Sequence, residues 1–354
     1  MTDDIYRQLA QRLDAIPNGF SPTESGVELR LLARIFEPQE AAVAAVMELR
    51  LEPASAIAAR AGLDPRDTYR LLKTMARKGQ VRAGRKGHEL GFALMPFVVG
   101  IYEEQLPRMD AELASLFEAY FLESAGFMSR YEPAVHRVIP VQEAIPAGVE
   151  IYPYEQASAL LEQAQAWGVR ECICRLQQKL IGKGCDRPLE SCLAFAPVPG
   201  AFDNSDVTRA ITKEQALDIL RQAAAAGLIH SPGNYRDGHF YICNCCTCCC
   251  GVLRGVAEFS LPTAIARADF VATADPALCA GCGDCVARCQ FGALALVDDV
   301  CCVDSGRCVG CGQCVTVCPS GALALARRPA GEIDPLPADM FDWASRRARA
   351  RGLA

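Results

Sequence analysis

Read for its apolar and polar positions alone, the chain alternates between helical and extended periods with few long irregular stretches. TKEQALDILRQAAAAGLIHS, residues 212–231, carries apolar residues at helical spacing behind a Thr212-to-Gln215 capping box, and Gly227 is placed as its stop. PQEAAVAAVMELR (38–50) reads as one helix and PASAIAARA (53–61) as a second ended by Gly62. DPRDTYRLLKTMARKG reads as a third, with Asp64 at the cap and Pro65 in the first turn. VRAGRKGHELGFA alternates like a hairpin with a glycine-containing tip. LMPFVVGIYEEQL leads into a long helix reaching about Leu122, and VEIYPYEQASALLEQAQAWGV predicts a strand followed by an amphipathic helix. MFDWASRRARARGLA closes the chain as a helix with Met340, Phe341 and Trp343 followed by four arginines, expected to cover an apolar edge or to meet an acidic partner.

No apolar run reaches the roughly 18 residues a membrane span needs, and MTDDIYRQLA lacks the basic, then apolar, form of a secretory signal. A cytoplasmic protein is therefore expected. At 354 residues it is long enough for two or three domains that do not depend on disulfide staples. Against that background, 20 cysteines in a reducing compartment point to metal or redox chemistry.

Their distribution divides the chain. None precedes Cys172; four lie from Cys172 to Cys192, six from Cys243 to Cys250 and ten from Cys279 to Cys318. The last ten hold a repeat. A shift of 29 positions carries Cys279, Cys282, Cys285 and Cys289 onto Cys308, Cys311, Cys314 and Cys318, and GALAL at 292–296 onto GALAL at 321–325. Each copy is C-x2-C-x2-C-x3-C followed by a short apolar strand. A tight loop of this kind wraps three corners of a cubane, its glycines letting backbone amides approach the sulfur, so the fourth thiolate comes from elsewhere. Cys301 and Cys302, between the copies, read as strand residues and not as ligands.

CAGCGDCVARCQFGALAL with CVGCGQCVTVCPSGALAL resembles the bacterial two-cluster ferredoxin, over about residues 270–327. The resemblance implies two 4Fe-4S clusters with crossed ligands. Cluster 1 takes Cys279, Cys282, Cys285 and Cys318; cluster 2 takes Cys308, Cys311, Cys314 and Cys289. Pro319 follows Cys318 as the family pattern expects, but Gln290 stands where the matching proline would follow Cys289.

The remaining ten cysteines, Cys172, Cys174, Cys185, Cys192, Cys243, Cys245, Cys246, Cys248, Cys249 and Cys250, are candidates for a third site, brought together across the 212–227 helix. Iron–sulfur is the expected occupant, with zinc or unmetallated redox thiols as the alternatives. Cys249-Cys250-Gly251 is similar to the CCG element of heterodisulfide-reductase-type clusters. Arg175 and His239 adjoin these groups in sequence, as charge or proton suppliers or, more simply, as surface residues.

The helix, helix, helix and hairpin order of residues 38–93 resembles the winged helix-turn-helix superfamily. Residues 60–86 hold nine basic residues against two acids, and Arg66, Arg70, Lys73 and Arg77 share a face of the third helix as a candidate DNA surface. A net charge of -6 over the whole chain argues for a docking role over nucleic acid. No dinucleotide or phosphate loop is present in the sequence. The full order of motifs, over about residues 30–327, resembles bacterial 4Fe-4S binding proteins.

The expected fold class is α+β: a winged helix-turn-helix domain (1–100), a cysteine-rich central α/β domain (101–260), a bacterial ferredoxin-like two-cluster domain (261–330) and a C-terminal helix (331–354). The expected function is single-electron transfer from a low-potential donor to a partner oxidoreductase. A reductase centred on the middle cysteines and a redox-sensing DNA-binding regulator are the rivals.

Overall fold

The computed structural model describes residues 2–86, 89–124 and 129–353 and divides into two compact units, Met1–Met128 with Arg347–Ala354, and Ser129–Arg346. In the first unit α1 (Thr2–Asp14), α2 (Val27–Ile35) and α3 (Pro38–Ala45) precede β1 (Glu52–Pro53), α4 (Ala54–Ala61) and α5 (Pro65–Arg77). The hairpin β2 (Val81–Lys86) and β3 (Glu89–Leu94) follows, with β1 adding to β3, and α6 (Ala111–Glu123) ends the run. Asp64 caps α5 by accepting from the amides of Arg66 and Asp67, as its position before Pro65 requires. Thr68, Leu72 and Met75 face the core, which turns Arg66, Arg70, Lys73 and Arg77 outward. The tip of the hairpin, residues 87 and 88, lies outside the described residues.

Two expectations fail here. The helix expected over 38–50 stops at Ala45, where Val46 leaves helical geometry and Met47 and Glu48 turn toward the sheet, the Glu48 carbonyl accepting from the Leu94 amide. The long helix expected to reach Leu122 is broken. Pro96 and a non-helical stretch at Val98–Gly100 precede a 3-10 turn at Glu103–Arg108, Pro107 interrupts that turn, and a fresh helix begins after Asp110.

The second unit is built on an antiparallel five-stranded sheet of order β6–β4–β5–β8–β7. Its elements run α7 (Ala157–Glu162), β4 (Ala166–Glu171), α8 (Ile173–Leu180), β5 (Glu190–Ala196), β6 (Arg209–Ile211), α9 (Lys213–Ala225), β7 (Ile229–Ser231) and β8 (Tyr241–Cys245). The strand expected at VEIYPYEQ is a 3-10 turn, and the strand instead follows the helix, where AWGVRE supplies the β-prone residues. α9 has the expected capping box between Thr212 and Gln215. Its Ala216, Leu220 and Ala223 are buried, with Ala216 and Leu220 packed in one cluster with Val169, Leu193 and Ile242 of the sheet.

Next come α10 (Gly251–Ala257), β9 (Phe270–Ala274), α11 (Asp284–Arg288), β10 (Leu294–Val297), β11 (Val300–Val303) and β12 (Leu323–Arg327). β12 pairs antiparallel with β9, and β10 with β11. The two GALAL copies thus fall in equivalent short strands of two separate ribbons, each following its own cysteine loop. α12 (Met340–Ala350) closes the chain, with Trp343 donating to the Ala134 carbonyl.

Candidate metal centres

The two ferredoxin-like runs enclose two separate spaces. Cys279, Cys282, Cys285 and Cys318 line the first, and Cys289, Cys308, Cys311 and Cys314 line the second. Each space therefore takes three cysteines from one run and the fourth from the other. The local chain explains the wrapping. Gly281, Gly283, Gly310 and Gly312 all adopt positive φ between the cysteines. A side chain at Gly310 would overlap the Phe270 carbonyl oxygen, so the second loop lies directly on β9.

Backbone amides meet the sulfurs, among them Cys301 N to Cys279 Sγ at 3.3 Å, Ala293 N to Cys289 Sγ at 3.3 Å and Ala272 N to Cys308 Sγ at 3.5 Å. Such donors favour the anionic thiolate that a metal needs. One core cluster joins both spaces, since Cys285, Cys301, Cys308 and Cys314 share it with Leu294, Leu323 and Leu325. Cys301 belongs to the site more than its sequence position indicates. Its Sγ is 3.6 Å from Cys285 Sγ and it lines the first space, whereas Cys302, one residue along β11, is exposed. Strand alternation was the available signal.

The ten central cysteines fall into two groups. Cys185, Cys246, Cys248 and Cys249 have sulfurs within 4.8 Å of one another, the only such set of three or more metal donors among the described residues. Contacts within the set are 3.7 Å for Cys249–Cys185 and for Cys249–Cys248, and 4.0 Å for Cys185–Cys246. A tetrahedral ion with metal–sulfur bonds of about 2.3 Å holds its sulfurs about 3.8 Å apart. A cubane spreads four thiolates over four irons and sets them farther apart. The spacing fits a single ion.

The other six form a ring of neighbouring thiols running Cys172, Cys174, Cys250, Cys245, Cys243, Cys192 and back to Cys172. The Cys192–Cys243 sulfurs are 3.9 Å apart. Four elements supply it: Cys172 and Cys174 open α8, Cys192 lies on β5, Cys243 and Cys245 lie on β8, and Cys250 leads into α10. The strand period sends Cys243 and Cys245 to one face and leaves Asn244 on the other, where it holds the Ser191 carbonyl and His230.

Arg175 joins the two groups. It is 2% exposed, which corrects its reading as a surface residue: residue 175 falls on the inward face of α8. Its guanidinium binds the Asn244 carbonyl at 2.9 Å and the Ser191 hydroxyl, and approaches Cys246 Sγ at 3.9 Å. Hydrogen bonds from Cys249 and Cys248, with Arg175 beside them, push the Cys246 thiol down to about 5. Hydrogen bonds from Cys174 and Cys192 hold the Cys172 thiol well below its ordinary range, with Arg175 adding to them. Arg187 reaches Cys248 Sγ at 3.5 Å. His239 stacks on Tyr235 with ring centroids 4.8 Å apart, and burial pushes its pKa down to about 4.

Gln290, the departure from the ferredoxin pattern, acquires a reason. Its side chain accepts from the Thr247 amide at 3.0 Å, inside CNCCTCCC, and donates to the Gly227 carbonyl at the end of α9. A proline there has no side-chain amide to make either bond. Gln290→Pro is expected to keep its irons yet lose about 1–3 kcal/mol, seen as a lower midpoint for thermal bleaching of the iron–sulfur absorbance.

The 4Fe-4S binding domain family matches residues 303–323, which include Cys308, Cys311, Cys314 and Cys318. The chain therefore carries an iron–sulfur binding domain. Neither the curated proteins nor the solved structures contain a match. No helix among the described residues is long and apolar enough to cross a membrane.

Proposed function

We propose that the chain is an electron-transfer protein carrying two 4Fe-4S clusters, with the crossed ligand sets Cys279, Cys282, Cys285, Cys318 and Cys308, Cys311, Cys314, Cys289. The observation that carries this reading is the pair of enclosed spaces lined by these sets of four, sharing one apolar core. Bound there, the clusters accept and release one electron at a time; the chain supplies thiolates, amide donors and a water-poor wall.

The third centre expected among the middle cysteines falls to the six-thiol ring, with the tighter four holding one tetrahedral ion. Cys243, Cys245 and Cys250 share an apolar cluster with Cys289, Cys311, Phe291 and Val309, so a polynuclear centre in the ring would continue the relay from cluster 2. The outside partners are a low-potential donor and an oxidoreductase acceptor, in the cytoplasm. Anaerobic reductive titration tests this: at least two one-electron waves, each with the paramagnetic resonance of a reduced cubane, support it, and a single wave sinks it.

A second reading draws on the first unit. Its α4, α5 and β2–β3 hairpin support a winged-helix domain, and Arg66, Arg70, Lys73 and Arg77 are all exposed along α5. Among the described residues Arg70 pairs only with exposed Asp67 in its own helix, at 3.3 Å. DNA binding through this face would appear as salt-dependent retardation of duplex DNA, lost on changing Arg66, Arg70 and Lys73 to alanine. Retardation that survives those changes rejects it.

A further inference from the structure

A cavity of about 970 Å³ in the second unit has no part in holding the cysteines. Its lining includes Arg137, Arg267, Arg307 and Arg346 beside apolar Val256, Phe291 and Leu336. Glu132, Asp269 and Asp334 also reach it, but the cations exceed the acids.

Arg137 is the informative member. It is 3% exposed, and its Nη2 holds Asp269 at 3.3 Å while its Nε and Nη1 find no acceptor among the described residues. Buried guanidinium N–H groups without acceptors are costly, and their planar fork matches a carboxylate or phosphate. Asp269 is shared with Arg327 at 3.9 Å, and Glu155, held by Arg327 at 2.9 Å, also offsets Arg137, so what Arg137 lacks is hydrogen-bond acceptors and not a counter-charge. Apolar walls on the same cavity suit an organic body attached to that anionic head.

The position gives the cavity its meaning. Phe291 and Val309 line it from one side and line the space among Cys289, Cys308, Cys311 and Cys314 from the other. A molecule in the cavity is separated from cluster 2 by the thickness of one side chain.

We propose that this cavity is a binding site for a small organic anion, a carboxylate or phosphate ester with an apolar body, seated against cluster 2. The placement beside the cluster rests on the two-cluster reading; the anion site itself does not. Ligand-observed nuclear magnetic resonance on the full-length metallated protein tests it with benzoate and phenyl phosphate as separate probes, which also separates the two head groups.

Saturable binding of at least one probe is expected, weakened tenfold or more by Arg267→Ala and by Arg137→Lys, which keeps the charge but loses the fork. Arg221→Ala, an exposed residue of α9, is the control and leaves binding unchanged. On reduction, the bound probe's ring protons gain paramagnetic relaxation from the adjacent cluster. Absence of binding by both probes, or binding indifferent to both variants, overturns the site. Binding that responds to the variants but not to reduction overturns the placement beside a cluster, and so tells against the two-cluster reading, not the anion site.

Discussion

Cys289→Ser is expected to strip about four irons and four sulfides per chain from the centre formed by Cys308, Cys311 and Cys314, while the centre formed by its own sequence neighbours stays loaded. The opposite outcome defines uncrossed ligation: loss of the Cys279–Cys282–Cys285 centre. The expectation rests on where Cys289 points. It closes the wall made by Cys308, Cys311 and Cys314, and its sulfur accepts the Ala293 amide at 3.3 Å. Cys318→Ser is the mirror experiment and empties the other centre. Iron and sulfide analysis gives the amounts. Paramagnetic resonance of the reduced variants says which cluster survives, because the two surroundings differ: the first has Cys301 against it and the second has Phe291 and Val309. A serine oxygen can retain an iron, so Cys289→Ala is the companion variant; survival of both clusters in both variants removes Cys289 from the ligand set.

Much of this site was legible before any coordinates. The 29-residue repeat alone pairs the eight cysteines in type, and the glycines between them foretell loops that adopt positive φ. The β2–β3 hairpin and the caps at Asp64 and Thr212 were equally local, because a cap or a hairpin is specified within a few residues, whereas β1, whose Glu52 pairs with the distant Phe92, was not read. Most of what failed was governed at longer range, the broken helix at 97–110 being the local exception. The 97–110 segment carries enough apolar residues for a helix, yet Pro96 and Pro107 deny it continuity. Arg175 looks like a surface cation in ECICR, and only the meeting of β8 with the start of α8 buries it. Gln290 stood out in the sequence only as a departure from the ferredoxin pattern, whereas it ties the ferredoxin-like loop to Thr247 and Gly227. The division of the middle cysteines was beyond sequence for the same reason. Cys249 and Cys250 are adjacent in the chain, but the turn at 246–250 sends one sulfur to the Cys185 group and the other to the ring.

That adjacency makes the second large effect specific. Cys248→Ser is expected to remove one metal ion per chain and no acid-labile sulfide, and Cys245→Ser to remove several irons together with sulfide. Cys248 is the most favourable place for the first change, because it is the exposed member of its set and its loss leaves the packed Cys246 and Cys249 against Ala223 and Leu228. Three thiolates alone hold a structural ion poorly, since closed zinc sites are built on four ligands. The unaltered protein offers a check independent of variant folding. X-ray absorption at the zinc edge should give one sulfur shell at about 2.3 Å with no neighbouring metal, or the same single shell at the iron edge over the cluster signal. Parallel loss of iron and sulfide in Cys248→Ser would instead join both groups into one cluster site. The 3.7–4.0 Å contacts within a set whose four sulfurs all lie within 4.8 Å of one another speak against that, because one ion is all that fits among four sulfurs so close. A structural ion there would fix the turn that aims Cys245 and Cys250 into the ring, so emptying the four-thiol site should lower the ring's iron retention over hours while leaving the Cys289 and Cys318 centres unaffected.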